Sequence, residues 1–130
     1  MGSRLLLLLI SVFYCSFNDI YAVHGPNLKL QSNFIDFGVV KYKDPVPTRD
    51  IIITNRGDQK LVILRTYTDC SCTIVDNKVD TIYPGKSDVL RIKFKAKKLY
   101  PGEYTKKIYL KSNTKTQIDT IVVHADVRHN

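Results

Sequence analysis

"SDVLRIKFKAK", residues 87–97, decides the fold. Leu90, Ile92, Phe94 and Ala96 alternate with Arg91, Lys93, Lys95 and Lys97. A period of two puts the first set on a buried face and the second in water, which is the pattern of a half-buried strand; a helix would repeat near 3.6 residues. Downstream, "EYTKKIYLKSN" (103–113) sets Tyr104, Ile108 and Leu110 against Thr105, Lys107 and Lys111. "DTIVVHADV" (119–127) sets Ile121, Val123, Ala125 and Val127 against Thr120, Val122, His124 and Asp126.

Upstream, "RDIIIT" (49–54) and "KLVILRTYT" (60–68) are β-branched and aliphatic, and "LKLQSNFIDFGVV" (28–40) holds an early strand. Between the first two lies "NRGD" (55–58), where Asn55 and Gly57 can supply the positive φ of a tight hairpin. Pro84-Gly85 and Pro101-Gly102 read as turns, because Pro fixes φ and Gly takes the left-handed position. Turn signals about every ten residues and no helical repeat predict an all-β, immunoglobulin-like antiparallel two-sheet sandwich of about seven strands.

The chain begins "MGSRLLLLLISVFYCSFNDIYA" (1–22): one arginine, an apolar block from Leu5 to Tyr14, then small and polar residues. That is the layout of a secretory signal peptide, and the block is about half the roughly 20 residues a membrane span needs. No later segment comes near that length, so no transmembrane span is expected in the mature chain. Residues 1–22 are assigned as the signal and 23–130 as one sandwich domain. Cleavage after Ala22 is the favoured processing. The alternative is lipoprotein processing at Cys15, which would anchor the protein to a membrane by lipid. Either route takes the protein out of the cytoplasm, to the periplasm or the extracellular space.

With 44% hydrophobic and 25% charged residues and no low-complexity tract, the chain has the composition of a folded domain. Its net charge of +8 suits anionic headgroups or acidic polysaccharide; nucleic acid is scarce in an exported setting and is not expected as a partner.

Several of these segments together resemble a known family. "FIDFGVV", the Asn55-x-Gly57 turn, the aliphatic strand running into Cys70-Ser71-Cys72-Thr73, the "IYPGKSDVLRIKF" stretch with Pro84 and Gly85, and the last alternating strand are similar to the domain of unknown function 1573. The resemblance covers about residues 30 to 127. Two positions depart from the family pattern: Ser71 and Ala125 stand where glycine is usual. The resemblance implies an immunoglobulin-like fold, related to the sperm-protein and Hydin-like domains, in the envelope of bacteria such as Bacteroidetes. It implies no established activity.

No catalytic motif is visible: no G-x-S-x-G, no H-E-x-x-H and no phosphate loop. Of the three histidines, His24 and His129 lie near the ends of the domain, and His124 falls on the wet face of its strand. The carboxylates are mostly beside turns, where they cap backbone groups. Neither an enzyme nor a cofactor is expected.

Cys70 and Cys72 are the only cysteines of residues 23–130. Three readings stand for them: a direct bridge, which needs a bend at Ser71 because i and i+2 of an extended strand are near 7 Å apart; a Cu(I) site of two thiolates; or burial as small apolar side chains. With no thioredoxin-type motif around them, a structural role is preferred, and a thiol-based copper or redox protein is the alternative. Finally, Arg91, Lys93, Lys95 and Lys97 form one cationic row and Lys107 and Lys111, with Tyr109 between them, another. In a sandwich these two strands belong to opposite sheets, so the rows should face apart. The expected function is binding or structural association with an unknown envelope protein or an anionic envelope polymer.

Overall fold

The structure, a computed structural model, describes residues 24–130. The assigned signal peptide, its cleavage site and Cys15 lie outside them. Among the described residues nine strands follow one another: β1 (Leu28–Leu30), β2 (Phe34–Lys41), β3 (Thr48–Asn55), β4 (Leu61–Thr68), β5 (Thr73–Val75), β6 (Thr81–Ile82), β7 (Ser87–Phe94), β8 (Gly102–Ser112) and β9 (Ile118–Arg128). They form two sheets, a smaller one in the order β1-β3-β7-β5 and a larger one in the order β2-β9-β8-β4-β6. No helix among the described residues is long and apolar enough to cross a membrane.

The alternation read from the sequence becomes the core. Leu90, Ile92 and Phe94 of β7 face Ile108 and Leu110 of β8 and Ile121, Val123, Ala125 and Val127 of β9 across the sandwich, all at most 1% exposed. Phe37 of β2 reaches Phe94 with ring centroids 5.7 Å apart. At ~25 cal/mol per Å2, the burial of these side chains is the main stabilising contribution to the fold.

Three details of the strand order and connections differ from the expectations, besides the Pro101-Gly102 turn described below. The early strand is two strands, one in each sheet: β1 pairs with β3, and after the bend at Gln31–Asn33 β2 pairs with β9. The β2·β9 pairing is parallel and carries a bulge between Asp36 and Val39, where Gly38 adopts φ +67°; the remaining pairings are antiparallel. The third concerns "NRGD". It is not a hairpin, because β3 lies in the smaller sheet and β4 in the larger, so residues 56–60 form an arch between the sheets. Neither Asn55 nor Gly57 has positive φ.

The arch needs both residues for other reasons. Asn55 is fully buried. Its Oδ1 accepts from the N–H groups of Gly57 (2.9 Å) and Asn27 (3.3 Å). Its Nδ2 donates to the carbonyls of Gln59 (2.7 Å) and Ile82 (2.9 Å). Two backbone groups of the arch, one just before β1 and one of β6 are thus satisfied by a single amide. Gly57 is required by space, since a Cβ there would lie 1.9 Å from the Gly25 carbonyl oxygen and 2.7 Å from the Asn27 nitrogen.

Pro84-Gly85 is a turn of the expected kind: Gly85 sits at φ +75° and the Lys86 N–H donates to the Tyr83 carbonyl at 3.0 Å. Pro101-Gly102, by contrast, opens β8. The hydrogen-bonded reversal lies upstream, from the Leu99 N–H to the Ala96 carbonyl at 2.8 Å.

Candidate functional site

Cys70 and Cys72 occupy the corner where the chain leaves β4 of the larger sheet for β5 of the smaller. Residues 70–73 make a tight turn, closed by the Thr73 N–H donating to the Cys70 carbonyl (3.2 Å), and the two α-carbons approach to 5.2 Å with the sulfurs bonded to each other. The bend falls at Ser71 without positive φ, which is why serine serves where glycine is usual in the family pattern. Cys72 is 5% exposed and belongs to the core, with Cys70 packed against it. The Thr68 hydroxyl donates to the Cys70 carbonyl at 2.9 Å, and the Lys95 N–H to the Cys72 carbonyl at 2.7 Å. The corner therefore ties β4 to β7 of the opposite sheet. With both sulfurs bonded to each other, neither is a thiolate ligand here. Among the described residues no three His, Cys, Asp or Glu side chains gather as a metal site.

The two cationic rows do face apart, β7 being in the smaller sheet and β8 in the larger. They are not equivalent. On β7, Arg91 is held by Asp50 through two hydrogen bonds (3.0 and 3.1 Å) and Lys93 by Asp76 at 2.9 Å. The Arg91 guanidinium holds the Asp50 carboxyl below the usual carboxylate range. Half of that row is neutralised.

On the larger sheet the register brings β4 beside β8, opposing Arg65 to Lys111 and Tyr67 to Tyr109. The two tyrosine rings stack at 4.9 Å with planes 20° apart, and the Arg65 guanidinium lies 5.8 Å from the Tyr67 ring centre. Lys107 is two residues along on the same face, its backbone N–H donating to Asp69 Oδ1 at 2.9 Å. Over four residues of strand, Lys107 and Lys111 stand about 13 Å apart. Among the described residues, Arg65, Lys107 and Lys111 make no ion pair.

Like charges directly opposite each other cost stability in a sheet, so the Arg65/Lys111 pair is not there to hold the fold. The tyrosine pair next to them along the strands is part-exposed, and Ile118, Val122 and Phe34 continue the patch across β9 and β2. Toward the other end of the face His124 meets Asp36 at 3.1 Å and Arg128 pairs with Asp126 at 2.7 Å. The Gly38 N–H, followed by His124, lowers the Asp36 carboxyl from its ordinary value. The face thus offers one aromatic, positively charged region that can take up negative charge and a flat surface together.

Lys107, Tyr109 and Lys111 were visible in the sequence as a row. Arg65 and Tyr67 were not, because only the non-local pairing of β4 with β8 places them beside it. Asn55, Gly57, Thr73, Pro84 and Gly85, which carry the family resemblance, lie at the arch, the disulfide corner and the β6–β7 turn, away from this region.

A family model described as protein of unknown function (DUF1573) matches residues 28–127. No curated protein matches the chain. Among solved structures, a protein of unknown function from Porphyromonas gingivalis W83 is 22% identical, with a TM-score of 0.72 over 85% of this chain and 51% of that one. The periplasmic chaperone SfaE is 12% identical, with a TM-score of 0.62 over 78% of this chain and 57% of that one. The seventh PapD-like domain of human CEP192 is 9% identical, with a TM-score of 0.61 over 79% of this chain and 86% of that one. The chain spans about half the length of the first two. These likenesses establish an immunoglobulin-like, PapD-like fold.

Proposed function

The chain belongs to the DUF1573 family, and from that membership and the geometry of the larger sheet we propose an exported, non-catalytic binding module of the bacterial envelope. Residues 1–22 act as its signal peptide and residues 23–130 as its single domain, in the periplasm or outside the cell. A fold shared with a periplasmic chaperone supports both export and association with other macromolecules. The partner is an envelope protein or polymer carrying negative charge, met by Arg65, Lys107 and Lys111 around the Tyr67–Tyr109 stack. One observation carries this reading: three cations without an ion pair among the described residues, on a face where Arg65 opposes Lys111, while half of the β7 row is paired with carboxylates.

The test compares retention on an immobilised polyuronate with retention on an uncharged glucan. Wild-type protein should bind the first and elute as salt screens the charges. Reversing Arg65, Lys107 and Lys111 to Glu should remove retention. Reversing Lys95, Lys97 and Lys98 to Glu, an equal change in net charge on other exposed positions, should leave most of it. Equal loss from the two triple variants would reduce the interaction to net charge and overturn the assignment of the face.

A further inference from the structure

Among the described residues one edge of β4 is left without a partner strand beyond Val62, and this edge borders the cationic face at Arg65. We propose that it accepts an extended segment of another polypeptide by strand addition, a segment with a carboxylate on the side facing Arg65.

On one side β4 pairs with β8 from Ile63 to Thr68; on the other it pairs with β6 only at Leu61 and Val62. The Ile63 N–H still reaches the Asp80 carbonyl at 2.8 Å, and there the protection of the edge stops. Which groups are then open follows from the ladder. The Asp69 N–H donates to the Lys107 carbonyl at 3.3 Å, so Asp69 turns its backbone toward β8. Alternation along an antiparallel strand makes Tyr67 and Arg65 do the same, and turns the N–H and C=O of Thr66 and Thr68 outward. Among the described residues, no backbone group is bonded to them on that side. Two donors and two acceptors in a row are what a short added strand requires.

Space and chemistry agree with that use. Beside this edge runs a slot of about 560 Å3 lined by residues 63–68 and 73–79. An added strand would turn alternate side chains into it, toward Ile63, Val75 and Val79, which favours small aliphatic residues there. Its other side chains would extend the outer face of the larger sheet, next to Arg65 and Tyr67. Leu64, displaced by the bulge between Ile63 and Arg65, is 59% exposed at the end of the slot. Arg65 has no carboxylate partner among the described residues, so charge complementarity selects an acidic segment over a basic one. A second copy is the poorer occupant, since each chain carries +8.

The probe is a capped heptapeptide alternating valine and glutamate. Titrated into the protein and followed by amide NMR and hydrogen exchange, it should protect the amides of Thr66 and Thr68. The same peptide N-methylated at the residues that donate to β4 should not bind, and a valine–lysine peptide should bind more weakly than the valine–glutamate one. Thr66→Pro, which removes an outward N–H and spares the β4·β8 ladder, should abolish binding. Undiminished binding of the N-methylated peptide, or shifts confined to Lys107, Tyr109 and Lys111, would mean that the face acts alone and overturn the edge. So would protection of Thr66 and Thr68 that depends on protein concentration without peptide, the sign of a second copy, and so would absence of binding.

Discussion

Replacing Asn55 by Ala removes the amide that holds the arch between the sheets. Four hydrogen bonds go at once: from the Gly57 and Asn27 N–H groups to Oδ1, and from Nδ2 to the Gln59 and Ile82 carbonyls. Each bond contributes about 1 kcal/mol net, and a backbone group left buried without a partner costs about 1–3 kcal/mol. Only the bond to Ile82 is fully buried; the other three are part-buried, so water can replace some of what is lost. The expected destabilisation is therefore about 3 kcal/mol, a large share of the ~5–15 kcal/mol of a typical domain. Asn55→Asp keeps the oxygen that accepts both N–H bonds but aims a carboxylate oxygen at two carbonyls, and should cost at least as much at neutral pH. Urea unfolding followed by far-ultraviolet circular dichroism measures both. A loss below about 1 kcal/mol for Asn55→Ala, with an unchanged m-value, would show that the arch does not depend on this amide.

Three further outcomes follow from the packing and the titrating groups. Phe94→Asp places a charge at a position with no exposure and should unfold the domain, whereas Lys95→Asp, exposed on the other side of the strand, should stay within about 0.5 kcal/mol of wild type; circular dichroism melts compare them. Changing Cys70 and Cys72 together to Ser should lower stability by less than the roughly 3 kcal/mol of a fifteen-residue loop, because a loop of three constrains the unfolded chain little; unchanged melting together with lost Cu(I) retention would establish the thiol-based alternative. Burial raises the Asp119 carboxyl above its ordinary value, so this group favours the folded state below its unfolded pKa and loses that contribution as pH rises through the folded value. Among the described residues the Asp119 Oδ2 is buried without a hydrogen-bond partner, although the residue as a whole is part-exposed; Asp119→Asn should accordingly gain on wild type as pH rises, by under about 1 kcal/mol, and chemical denaturation at pH 3 and pH 7 measures the difference.

The parts of the fold that were legible in the sequence are those where burial on one face leaves a period of two. β7, β8 and β9 were readable residue by residue for that reason. The Asn55-x-Gly57 stretch misled because a turn signal is local, and nothing local distinguishes a hairpin from an arch between sheets. The same Asn55 amide that could have stabilised a left-handed turn instead bonds two backbone groups of the arch and joins them to Asn27 and to Ile82 of β6. β5 and β6, with three and two residues, are too short to show any period. The split of the early strand was marked by Gln31-Ser32-Asn33, but its consequence, a change of sheet, depends on partners far away in the chain. The candidate site was half visible for the same reason: Lys107, Tyr109 and Lys111 are neighbours on one strand, whereas Arg65 and Tyr67 join them only through the β4·β8 register.

The measurement that bears most directly on the proposed role is site-specific photo-crosslinking in native cells. A photoreactive residue would replace Tyr109, part-exposed on the cationic face, or Val89, exposed on the outer face of the smaller sheet. The reading predicts that the protein is recovered outside the cytoplasm and that the probe at Tyr109 captures a negatively charged envelope component, while the probe at Val89 does not. Capture at Val89 without capture at Tyr109, or protein retained in the cytoplasm, would contradict it.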